Sequence, residues 1–147
     1  MSSAGKAGQD MMEETPMGEK YKQQSVVEIM NEMLSAVRDY YDSDYAYYVE
    51  KDEEEILSIY EWCADGRPWL REQIRMLSLE EAPRWMKQEI LNENDSDYSV
   101  FHDLGYGKTG ILAVAGVHRG GCGLELLKTM VPYAAEILAF KKVEKKQ

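Results

Sequence analysis

The segment from residue 45 to residue 63 narrows the choice of fold more than any other. Two ribbons of aromatic and β-branched residues, 45–49 (Tyr-Ala-Tyr-Tyr-Val) and 55–63 (Glu-Ile-Leu-Ser-Ile-Tyr-Glu-Trp-Cys), stand on either side of a short polar stretch. Such composition favours strands. A connection that brief permits only an antiparallel pair, because a parallel pair needs a long crossover. In the second ribbon the alternation predicts Ile56, Ser58, Tyr60 and Trp62 on one face and Leu57, Ile59 and Glu61 on the other. The acidic run 52–55 between them reads as a solvated turn, since it lacks the spacing and the glycine of a calcium loop.

Helical periodicity brackets this hairpin. Ser25 and Glu28 form a capping-box pattern. Val26, Ile29, Met30, Met33, Leu34, Val37 and Tyr41 then recur at three- and four-residue steps, predicting a helix that stops at the turn residues 42–44. Leu124, Leu127, Met130, Val131, Ala134, Ile137 and Leu138 predict a second long helix. Pro132 interrupts its hydrogen bonding, and Lys141, Lys142, Lys145 and Lys146 complement the negative end of its dipole.

Between hairpin and closing helix, 64–68 breaks the pattern and 69–91 reads as a helical crossover, anchored first by Trp69, Leu70, Ile74, Met76 and Leu77 and then by a helix carrying Trp85, Met86, Ile90 and Leu91. Ser78 and Glu81 repeat the capping box ahead of Pro83. Residues 98–101 read as a short strand and 111–117 as a central strand covered on both faces. The glycine-rich 104–110 reads as a hairpin turn and not a phosphate loop. His102 stands where that motif needs glycine, and a strand follows instead of a helix. Together these elements predict an α+β fold, a mainly antiparallel central sheet flanked by N- and C-terminal helices. Residues 1–23 read as a flexible arm and 24–147 as one domain.

Composition removes several function classes. The chain has 147 residues with 17 Lys and Arg against 27 Asp and Glu, a formal net charge of −10, which repels nucleic-acid backbones. No apolar run suits a membrane span or a signal peptide, so a cytoplasmic protein is expected. Cys63 and Cys122 cannot build a disulfide framework or a four-ligand zinc site, and His102 and His118 lack ligand spacing. No metal, cofactor or catalytic residue is therefore expected. Cys122, close in sequence to His118 and Arg119, is the one candidate for thiol chemistry. The crowded aromatics Tyr45, Tyr47, Tyr48, Tyr60, Trp62, Trp69 and Trp85 suit either a core or a concavity for a planar small molecule.

Residues 60–66 (Tyr-Glu-Trp-Cys-Ala-Asp-Gly) followed by 79–86 (Leu-Glu-Glu-Ala-Pro-Arg-Trp-Met) resemble the GAF-domain family. The closer resemblance is to GAF domains attached to GGDEF and EAL modules in bacterial cyclic-di-GMP signalling proteins. The strand 45–50 with the helix before it, the run 111–117 and the helix start 124–128 resemble that domain's opening and closing elements, so the likeness covers residues 25–140. The chain departs from the pattern at 92–110, which replaces a further strand and crossover that would wall part of a ligand pocket. The resemblance implies a GAF-like, non-enzymatic regulatory or sensor module that binds a small ligand or a partner and forms a homodimer through its terminal helices. Tyr60, Trp62, Trp85 and Arg119 are the candidate pocket residues. Two alternatives are a free-standing domain that sequesters a nucleotide-type ligand or competes for dimerisation, and a cysteine-dependent reductase of GAF fold using Cys122.

Overall fold

The apolar stripes and ribbons assemble into three layers around one sheet. The computed structural model describes the backbone of residues 14–146 and the side chains of 26–140. In chain order the elements are α1 (Glu14–Tyr41), β1 (Ser43–Lys51), β2 (Ile56–Cys63), α2 (Arg71–Arg75), α3 (Arg84–Lys87), β3 (Tyr98–Gly105), β4 (Lys108–Val117) and α4 (Glu125–Lys146). The four strands run in the order β2-β1-β4-β3, each antiparallel to its neighbours. The expected α+β class with an antiparallel sheet is what the chain adopts.

Both long helices pack on one face of the sheet. Met30, Leu34, Val37 and Tyr41 of α1 and Leu127, Val131, Ala134 and Leu138 of α4 close over Ala46, Tyr48, Leu112 and Val114. Each large apolar side chain buried here contributes about 1.5–3 kcal/mol. Val26 and Ile29 meet Ile137 and Phe140 at one end of the helix pair. At the other end the Tyr41 hydroxyl donates to the Gly123 carbonyl at 2.7 Å, so the helices run antiparallel. The crossover covers the opposite face, where Ile74, Ala82, Trp85, Met86 and Ile90 bury Tyr45, Tyr47, Val49, Ile59, Ile111 and Ala113. The run 111–117 is thus covered on both faces over 111–114, as its unbroken apolar composition predicts.

Three expectations about local structure change. First, α1 begins at Glu14, not Ser25, so residues 14–23 of the expected arm are helical and the Ser25–Glu28 pattern lies inside the helix. Pro16 falls in its first turn, where a missing N–H is tolerated. Residues 1–13 of that arm, and the basic side chains past Phe140, lie outside the described residues. Second, Ile56 joins the crossover face, away from Tyr60 and Trp62. Glu50 pairs with Ser58 but Lys51 with Ile56, so a bulge at Leu57 inserts one residue and reverses the alternation. Third, Ser78 accepts the Glu81 N–H at 3.3 Å but opens no helix; α3 begins after Pro83 and ends at Lys87, short of Ile90 and Leu91, and the expected anchors Met76, Leu77 and Leu91 stay exposed. The residue before a proline is pushed out of the helical region, which stops propagation at Ala82.

The turn at 104–110 is a β3–β4 hairpin closed by Tyr106 and Gly107, at φ +56° and +76°. Positive φ at both central residues marks the turn whose twist matches antiparallel strands. Asp42, at φ +50°, ends α1 in the left-handed conformation.

Candidate functional site

The site grows from the edge of β2 and one buried carboxylate. Glu61 points to the crossover face and is only 4% exposed. Directly across the strand pair, the Tyr47 hydroxyl donates to its Oε2 at 2.7 Å. The backbone N–H groups of Leu70 and Arg71 donate to the same carboxylate at 3.0 and 3.2 Å. Glu61 therefore ties the chain that leaves β2 back onto the strand's edge. Ala64 N–H donating to the Asp44 carbonyl, and Gly66 at φ +83°, turn that chain sharply.

This turn swings Trp69 around the strand edge to meet Trp62, which faces the helices. The two indoles lie 6.1 Å apart between centroids at 80° to one another. Trp69 remains 60% exposed. A cleft of about 370 Å³ opens beside them, lined by Asn31 of α1, Glu61, Trp62, Trp69, Arg71 and Glu72. It shares Asn31 and Trp62 with a shallower hollow of about 340 Å³ that runs along α1 past Glu32, Ser35, Ala36 and Asp39. The lining is mixed: aromatic surface, an amide, one guanidinium and several carboxylates. Arg71 and Glu72 form a loose pair at 3.5 Å, both largely exposed.

Of the four residues expected to form a pocket, only Trp62 lines this cleft. Tyr60 shares its face of β2 but packs on the helix core. Trp85 is on the opposite side of the sheet, 3% exposed, stacked on Tyr47 at 4.7 Å, and Tyr47 in turn stacks on Tyr45 at 5.8 Å. Arg119 lies past the end of β4, where its Nη1 donates to the Tyr40 carbonyl at 2.9 Å. The structure does not gather the four into one place. Trp85 fills the crossover face, so of the two uses open to the crowded aromatics, Tyr45, Tyr47 and Trp85 serve as core. Trp69, Asn31, Arg71 and Glu61 were not singled out as ligands from sequence. The sequence signal that reaches Trp69 is its place among the crowded aromatics.

The loop holding Cys122 caps α1. His118 and Arg119 N–H groups donate to the Asp42 and Tyr41 carbonyls, and the Cys122 thiol donates weakly to the Tyr40 carbonyl at 3.6 Å. These contacts satisfy carbonyls that a helix end leaves unpaired. His118 turns to Asp44, with Nε2 3.0 Å from Oδ1, and Arg67 reaches the same oxygen at 3.2 Å. Cys63 donates weakly to the Arg67 carbonyl at 3.5 Å, and burial pushes its thiol pKa up. Among the described residues no three His, Cys, Asp or Glu side chains form a group able to hold a metal ion, and no helix is long and apolar enough to cross a membrane.

Burial dominates the titration of the core phenols. Tyr41 is pushed up to about 12 by burial, with the neighbouring Tyr40 adding to the effect. Tyr47 and Tyr48 are pushed higher still, by burial first and then by hydrogen bonds to Glu61 and Glu50. No family model, curated protein or solved structure matches this chain, and the site's reading stands on its geometry.

Proposed function

We propose that this chain is a non-enzymatic regulatory module of GAF-like layout whose small ligand sits in the cleft between α1, β2 and the Trp69 turn. One observation carries the reading: the cleft places two tryptophans against Asn31 of α1. Ligand contacts there act directly on the long helix, which continues for about 18 Å before Val26. A ligand that grips α1 and the β2 edge together favours one seating of the helix over another, which is how binding energy becomes a signal. The resemblance of residues 60–66 and 79–86 to GAF domains of cyclic-di-GMP signalling proteins supports a bacterial, cytoplasmic signalling setting.

Calorimetric and fluorescence titration of a small-metabolite panel against the wild type and Trp69→Ala tests this. Trp69 is mostly exposed, so the variant is expected to fold. Binding to the wild type that the variant loses at unchanged melting temperature is the expected result. Binding indifferent to Trp69, or no binding at all, refutes it.

A second reading, association of two copies through the terminal helices, is favoured by an apolar hollow of about 290 Å³ between α1 and α4. Val26, Ile29, Ile137 and a 49% exposed Phe140 line it, with Glu136 beside them. Light scattering should give a dimer mass that Phe140→Glu converts to a monomer. A wild-type monomer at tens of micromolar concentration ends that reading.

A further inference from the structure

Accepting the cleft as a ligand site, we propose that it selects a small organic cation, an alkylated or quaternary ammonium group seated in the corner between Trp62 and Trp69. Three features of the cleft converge on this class.

The first is the pair of rings. The indoles meet in a T-shaped contact at 80° with centroids 6.1 Å apart, which makes a corner, and both belong to the cleft lining. Aromatic faces carry negative quadrupole charge, so an alkylated ammonium gains both apolar contact and electrostatic attraction there. Tryptophan is the strongest ring for this purpose. Trp69 is 60% exposed, so its ring is open to a ligand.

The second is charge. Glu61 and Glu72 line the cleft with Arg71, and Glu32 and Asp39 line the hollow that continues it. Asp39 is answered by Arg38. Three carboxylates then face one guanidinium, which already leans on Glu72 at 3.5 Å. The buried Glu61 carboxylate accepts its hydrogen bonds from a phenol and two backbone N–H groups, neutral donors that satisfy its oxygens without cancelling its charge. An anionic ligand would meet this surplus, in a chain that already carries a net charge of −10.

The third is size and chemistry of the rim. A volume of about 370 Å³ takes a small ammonium compound with a polar tail. Asn31 offers an amide at the α1 side of the cleft for a hydroxyl or carbonyl on such a tail.

The test uses the full chain and four probes: tetramethylammonium, choline, its neutral isostere 3,3-dimethylbutanol, and benzoate as a planar anion. Intrinsic tryptophan fluorescence and calorimetry report binding. Choline is expected to bind about tenfold more tightly than the isostere. Trp69→Ala should weaken choline about tenfold, Trp69→Phe should restore part of the loss, and Glu72→Gln should weaken it several-fold at low salt. All three substitutions lie on exposed side chains. If the neutral isostere binds as well as choline, if benzoate binds better, or if neither cation binds while a panel metabolite does, the cation assignment is wrong while the cleft remains a ligand site. If all four probes and the metabolite panel fail to bind, the cleft reading falls with it.

Discussion

Removing the Glu61 carboxylate tests the central structural argument, because one side chain holds both the hairpin and the turn that builds the cleft. In Glu61→Ala three donors lose their acceptor: the Tyr47 hydroxyl at 2.7 Å and the Leu70 and Arg71 N–H groups at 3.0 and 3.2 Å. The Tyr47 ring is 1% exposed, so its hydroxyl cannot turn to water and leaving it unpaired costs about 1–3 kcal/mol. The two N–H groups are only part-buried, at the start of α2, where water can replace the lost acceptor, so together they add about 1–2 kcal/mol. Lost packing of the side-chain stem adds about 1 kcal/mol. Relief of the carboxylate's desolvation offsets part of this, which leaves a net destabilisation of about 3–4 kcal/mol. Urea unfolding followed by far-UV circular dichroism measures it. Acrylamide quenching of tryptophan fluorescence should rise in the same variant, as Trp69 swings away from Trp62. Combining the change with Tyr47→Phe should cost about 1–2 kcal/mol less than the sum of the single changes, since the orphaned hydroxyl is gone. A loss below about 1 kcal/mol with unchanged quenching would refute the pinning role.

Other perturbations have equally definite outcomes. Tyr41, Tyr47 and Tyr48 all titrate above the ordinary phenol range when folded, Tyr41 at about 12. The unfolded chain loses these protons from about pH 10 while the folded chain keeps them, so stability is full below pH 10 and falls as pH rises further. Tyr41 alone accounts for about 2–3 kcal/mol by pH 12, and a urea midpoint that stays flat from pH 9 to 11.5 contradicts this. Trp85→Ala empties a stacked core position and should cost about 3–5 kcal/mol by urea unfolding, with ligand affinity of the folded fraction unchanged. A large affinity loss at full stability would return Trp85 to the binding site. Gly116→Ala places a side chain at φ +72° and drives its Cβ into the Asp44 carboxylate, displacing the partner of His118 and Arg67. A loss of about 2–4 kcal/mol is expected, and a neutral outcome in thermal melts would show that the loop simply moves aside.

How much of this was legible from sequence depends on the range of the interaction concerned. The α1 stripe from Val26 to Tyr41 faces the sheet as its spacing implied, and the hairpin of β1 and β2 forms as its short connection required. Both depend on local periodicity, which the chain carries in itself. The Ser25–Glu28 and Ser78–Glu81 patterns misled in opposite directions. A capping box marks a possible start, but helix α1 passes through one and Pro83 prevents propagation from the other. Ile56 changed faces because a single bulge residue, Leu57, shifts the alternation, and nothing in the residues 55–58 announces it.

The candidate site shows the same boundary more sharply. Trp62, Trp69 and Trp85 have similar claims in the sequence, and alternation assigned Trp62 to its face. Which tryptophan becomes core and which stays exposed was settled by the crossover: Trp85 stacks on Tyr47, and Glu61 reels in Leu70 so that Trp69 meets Trp62 at the open edge. Propensity and periodicity act between near neighbours, so the kinds of element and the acidic, aromatic character of the chain could be read in advance. Which rings meet, and where a cleft remains, came from the packing of the crossover and the helices on the sheet. Those outcomes depend on how residues far apart in the chain close over a shared face, and no local pattern encodes that closure.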